Sequence, residues 1–206
     1  MVATSSGARS VSKQATLTLT PPLPDNWFIS GSYTLGSIRV HESGFTGSVF
    51  NNPTVASWSR GDLDVRHHVI ASLGYMVGGF AISGQGHVMS GMPFTPIVGT
   101  DVNGDGYAND RAFVFAPNGT SDSKLSSDLA TLVNGSDRTA RQCLSAMSGR
   151  AAEHNECQGQ WNFALNAQAS LSTAALRAHR VSSINLSFAN PLAGLDAALH
   201  GGSAVR

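Results

Sequence analysis

Between Asp101 and Asp110 the chain places oxygen-bearing residues at the intervals of a calcium loop. With Asp101 as position 1, Asn103 and Asp105 fall at positions 3 and 5, and Asn109 at position 9. Gly106 takes the turn position, and Tyr107 the position where a backbone carbonyl serves. A hard cation needs roughly six to eight oxygens, and the glycine lets the chain fold round it. Position 12 is Ala112, so the usual bidentate carboxylate is missing, and Asp110 is the substitute at hand. Asp101, Asn103, Asp105, Tyr107, Asn109 and Asp110 are therefore the candidate Ca2+ ligands. A polar Asx/Gly turn that binds nothing explains the same residues, and both readings stand.

Cys143 and Cys157 occupy one polar, loop-like stretch without CxxC or Cys/His metal spacing. In an oxidising compartment they would close a loop of about fifteen residues, contributing roughly 3 kcal/mol. Two unrelated free thiols are the alternative. His67 and His68 follow Arg60-Gly61-Asp62-Leu63-Asp64 and Arg66. Adjacent histidines on a strand point to opposite faces, so a shared metal is disfavoured and a hydrogen-bonded strand-start network is expected. HExxH, GxSxG and P-loop patterns are all missing, and the Asn118 and Asn134 sequons are chance-level matches. No enzymatic activity is expected.

The elements that position these residues read as strands. Helical periodicity is almost absent and period-two alternation recurs. Ala15-Thr16-Leu17-Thr18-Leu19-Thr20 has one Ala/Leu face and one Thr face. Trp27, Ile29, Gly31, Tyr33 and Leu35 oppose Phe28, Ser30, Ser32 and Thr34. Further runs start at His68, Phe80, Trp161 and Ser183, with Gly78-Gly79 as a tight hairpin turn. The connections alternate in length. Short ones lie near 21–26, 78–79 and 173–180, and long ones across 40–65 and 95–160.

A soluble β-sandwich also has amphipathic strands, but it spaces its turns evenly and charges its wet faces. Here charged residues are only 13% while 41% is hydrophobic, and the polar faces carry Ser, Thr, Asn, Gln and Gly. Zero formal net charge gives no reason to expect nucleic acid as a partner. The expected fold is all-β, with antiparallel up-and-down strands from a transmembrane outer-membrane barrel. Short turns would be periplasmic and long loops extracellular. Aromatics near run ends suggest girdles: Trp27, Tyr75 and Phe80 at the turns, Phe94, Trp161, Phe163 and Phe188 at the loops. About six strands cannot close a barrel whose smallest forms have roughly eight. Residues 1–206 are thus expected to be a partial barrel that continues beyond one or both ends. The polar stretch Met1 to Lys13, which lacks a signal-peptide core, agrees with that expectation.

Three ordered stretches resemble the C-terminal barrel of TonB-dependent receptors, closest to the Oar-like, OmpA-related subset. They are Ser59 to His68, Ser90-Gly91-Met92-Pro93-Phe94-Thr95-Pro96, and Asp101 to Arg111. Gly149-Arg150 through Asn155-Glu156-Cys157 and Trp161-Asn162, then Asn190 to Asp196, look like the same region further on. The resemblance spans about residues 10–200. It implies a 22-stranded outer-membrane transporter filled by an N-terminal plug and powered through TonB. Its partners would be outer-membrane lipid, the remaining barrel and plug, and the TonB complex through that plug. The chain departs from the family in showing no plug and no terminal aromatic strand. The expected function is a barrel segment for energised uptake of a large siderophore, glycan or peptide substrate. The alternatives are a porin-like or adhesion barrel, or a secreted calcium-binding β-protein.

Overall fold

A computed structural model describes residues 7–43, 55–104, 106–116, 119–136, 138–172 and 183–200, the last five without side chains. The turn expected near 173–180 and the Asn118 sequon position lie outside the described residues. In chain order the elements begin with β1 (Arg9–Leu19), β2 (Trp27–Glu42), β3 (Ser57–Arg60), β4 (His67–Val77) and β5 (Phe80–Met89). Short strands β6 (Pro93–Phe94) and β7 (Phe113–Val114) precede helices α1 (Ser123–Gly135) and α2 (Arg138–Ala146). After them come β8 (Arg150–Ala151), β9 (Cys157–Gln158), β10 (Asn162–Ser172), β11 (Ser183–Ala189) and α3 (Pro191–His200).

The chain is mostly antiparallel sheet with up-and-down strands, ordered β1-β2-β4-β5-β10-β11, with β3 pairing β2. It divides into two units. The sheet unit holds Gln14–Leu35, Arg66–Met89 and Trp161–Arg206. The loop unit holds Met1–Lys13, Gly36–Val65 and Ser90–Gln160.

In the sheet unit the alternation read from single strands is kept in register from strand to strand. Ile29 pairs with Leu73, Leu73 with Gly84, Gly84 with Ala167, and Ala167 with Phe188. One residue away, Ser30 pairs with Ser72, Ser72 with Gln85, and Gln85 with Asn166. Directly paired residues share a face, so each face is continuous across the strands. Thr16 Oγ1 lies 3.0 Å from Thr34 Oγ1, which puts the Thr row of β1 on the polar face. Gly78 and Gly79 have φ of 55° and 85°, the pair of positive values a type I′ hairpin needs. At the β1–β2 connection the Trp27 amide donates to the Pro24 carbonyl at 2.9 Å.

The loop unit carries the buried core: Met147, Ala152 and Cys157, with Val114, Cys143 and Leu144 packed against them. Its helices correct the expectation that helical periodicity is nearly absent, because α1 and α2 lie inside the 95–160 connection. Leu125, Leu129, Leu132 and Val133 do recur at helical spacing, and Asp122 caps α1 by accepting from the amides of Lys124 and Leu125. Abundant Ser, Asn and Gly around them dilute that signal.

Gly91 shows why the Ser90–Pro96 motif is built as it is. A Cβ there would sit 2.0 Å from the Gly159 carbonyl oxygen, where β6 meets β9. Gly91→Ala is expected to destabilise the loop unit by about 3 kcal/mol or more, since the obstacle is backbone. Thermal unfolding of the variant checks this; a stability equal to wild type would refute the tight contact.

Candidate functional site

The described residues of the sheet unit include none that is buried. Leu17, Leu19, Ile29, Leu73, Ile82, Phe163, Leu186 and Phe188 are 38–73% exposed on one face. The opposite face carries Ser30, Ser72, Ser83, Gln85, Asn166, Gln168 and Ser187, with no charged residue paired among them. A cleft of about 440 Å³ is lined by several of these amides and hydroxyls together with Phe28, Leu73 and Phe188.

Two aromatic groups mark the strand ends. Trp27 and Tyr75 rings are 4.6 Å apart beside the short turns. At the other end His67 stacks on Trp161 at 5.8 Å, and its Nδ1 lies 2.8 Å from the Tyr33 hydroxyl. Phe94 closes β6 in the loop unit, and Phe188, next to last in β11, pairs with Ala167 of β10.

The loop unit contains the strand-start network. Asp64, only 3% exposed, accepts from the Ile38 amide at 2.7 Å and from Arg60 Nε at 2.9 Å. Those donors answer the charge of a buried carboxylate. Asn155, at φ 55°, donates to the Arg60 carbonyl and to Asp62, while its amide donates to Thr95. Ser59 Oγ lies 2.9 Å from His154 Nδ1, and Glu42 Oε1 lies 3.6 Å from the same nitrogen. Asn155 and His154 fall in the stretch that carries the resemblance, but sequence reasoning gave them no role, because their partners lie about ninety positions away.

The candidate calcium loop is closed by its own amides. Both Asp101 carboxylate oxygens accept backbone N–H groups, from Gly104 at 2.6 Å and Gly106 at 2.8 Å. Asp110, 4% exposed, accepts from the Val102 and Asn103 amides. Gly104 and Gly106 have positive φ, as the tight turn requires. Asn109 and Tyr107 follow in the same loop, and Asp105 lies outside the described residues. Among the described residues no three His, Cys, Asp or Glu side chains are gathered as a metal site.

Cys143 and Cys157 form a disulfide with a Cα–Cα distance of 5.4 Å, joining α2 to β9. Beside it Arg150 donates to both oxygens of Glu156. That hydrogen bond and charge hold the Glu156 carboxyl below its ordinary value of 4.5 and raise the Arg150 guanidinium. Because the folded value is the lower one, the pair contributes stability that is fully present above pH 4.5 and is lost as pH falls below it through the lowered folded value. The expected result is a small acid-induced fall in Tm that Glu156→Gln lacks, read by thermal unfolding from pH 7 downward. An identical pH slope in the variant would refute it.

Compared with known family models, curated proteins and solved structures, the chain matches none.

Proposed function

We propose that this chain forms part of the wall and outer loops of an outer-membrane β-barrel of the TonB-dependent transporter type. In that role it would serve energised uptake of a large substrate. The observation that carries the reading is the sheet unit's exposed apolar face, in register from β2 to β11 and backed by an uncharged polar face. A sheet in water would hide the first face and charge the second. Lipid hydrocarbon suits the first, and a filled or watery lumen suits the second.

Strand length agrees. At about 3.3 Å per residue and a tilt near 45°, the 11 residues of β4 or β10 rise about 26 Å. The apolar band of such barrels is about 25 Å tall. The six long strands among the described residues are fewer than the roughly eight of the smallest barrels, so further strands would complete the wall. The motif order from Ser59 to Asp196 points to the transporter type rather than a passive porin.

Refolding of the full chain with and without detergent tests the membrane reading. The sheet should form a soluble, monodisperse species only with detergent or lipid. A folded monomer in detergent-free buffer would end the proposal. Plug-coding sequence in the same reading frame would support energised uptake, and a gene without it would favour a porin.

A further inference from the structure

The loop unit has a cleft of about 480 Å³, within the size range of small-molecule sites. Three arginines line it, together with Glu153 and Glu156. Arg39 of β2 and Arg60 of β3 stand directly opposite each other in the strand pair, and Arg111 lines the same cleft. Like charges placed opposite one another destabilise a strand pair unless something answers them.

The carboxylates nearby answer only part of that charge. Asp64 takes Arg60. Glu156, also on the cleft, is taken by Arg150. Glu153 adds one negative charge that acts on Arg111. Among the described residues, no carboxylate lies within ion-pair distance of Arg39. Arg111 is half-buried, its Nε is sequestered without an acceptor, and Nη1 reaches only the Ala152 carbonyl at 3.5 Å. A sequestered guanidinium N–H without an acceptor is costly, and a ligand oxygen would remove that cost. Trp58, 47% exposed, supplies a flat apolar wall to the same cleft.

We propose that this cleft binds the carboxylate of a small organic acid through Arg39 and Arg111, with the acid's flat or apolar part against Trp58. A guanidinium presents N–H groups in a planar fork that matches two carboxylate oxygens, which favours this anion over a spherical one. The inference goes beyond the membrane reading and does not depend on it, since every residue it uses lies in the loop unit.

Calorimetry on the full refolded chain, disulfide closed and at low salt, tests it with benzoate as the probe. Saturable one-to-one binding at low-millimolar benzoate is expected. Arg39→Gln should weaken it roughly tenfold or more, as should Arg111→Gln. Lys124→Gln, at an exposed helix pair outside the cleft, should leave it unchanged. Because Arg39 is exposed, its variant keeps the fold and decides the matter even if Arg111→Gln unfolds. Absence of saturable heat, or wild-type affinity in Arg39→Gln, would overturn the site. Inorganic phosphate binding more tightly than benzoate would overturn the carboxylate assignment.

Discussion

Arginine in place of Leu73 is expected to cost about 2–4 kcal/mol of folding free energy in a bilayer, and arginine in place of Ser72 far less. The two positions are neighbours in the middle of β4 but face opposite ways. Leu73 stands between Ile29 and Gly84 on the apolar face and is 49% exposed. With that face in lipid, as proposed, a guanidinium there would lie in hydrocarbon with no acceptor within reach. Ser72 stands between Ser30 and Gln85, and Gln85 Nε2 donates to its hydroxyl at 3.4 Å. Among amides and hydroxyls a guanidinium finds partners.

A third position separates lipid from a protein cover. Val77 shares the apolar face at its short-turn end, opposite Phe80. The cost of a charge in lipid falls to about 0–1 kcal/mol near the interface. Val77→Arg should therefore be mild while Leu73→Arg is severe. Reversible denaturant unfolding in lipid vesicles measures all three. Equal penalties at Leu73 and Val77 would indicate a protein partner over the apolar face, and equal penalties at Leu73 and Ser72 would remove the two-faced reading.

Reduction of the Cys143–Cys157 bond is the second large effect, expected to lower the loop unit's stability by about 3 kcal/mol. The bond closes a 14-residue separation, and the chain-entropy estimate for such a loop is about that size. The loss matters because the core around it is small: its buried hydrophobic cluster is Met147, Ala152 and Cys157. A core of that size supplies little margin without a crosslink. Hydrogen exchange with and without reductant should show faster exchange in α2 and β9, while the mid-strand amides of β4 and β5 keep their protection. Unchanged exchange in α2 and β9 would show that the bond is dispensable. Reduction is preferable to Cys157→Ser, because a hydroxyl at this buried position adds an unrelated penalty.

Much of the sheet was legible in the chain because its code is local. Alternation in Tyr33-Thr34-Leu35 or Leu165-Asn166-Ala167 is visible within a few residues, and Gly78-Gly79 announces its turn. Boundaries were less so. β1 begins at Arg9, earlier than Ala15, and β2 runs on to Glu42 beyond the alternating stretch. The extra length of β2 depends on β3, whose Ser57–Arg60 segment pairs with Arg39–Glu42 across the intervening chain.

The site was legible only in pieces. The spacing from Asp101 to Asp110 offered a calcium loop and a polar Asx/Gly turn, and in the structure Asp101 and Asp110 accept from backbone amides. Arg60-Gly61-Asp62-Leu63-Asp64 suggested a hydrogen-bonded network, and Asp64 is indeed its buried centre. The partners could not be read. Asn155, His154 and Arg111 carry no periodic or motif signal of their own that links them to β2 and β3.

The sequence by itself determined the two-faced strands, the low charge of the polar face and the positions of the short turns near 21–26 and 78–79. These follow from side-chain period and turn chemistry, which act over a few residues. Tertiary structure alone decided that the apolar residues stay in register across the sheet, that Cys143 meets Cys157, and that Arg39, Arg60 and Arg111 share one cleft. Those outcomes depend on contacts between residues far apart in the chain, set by backbone pairing and by close approaches such as Gly91 on Gly159, which no local pattern encodes.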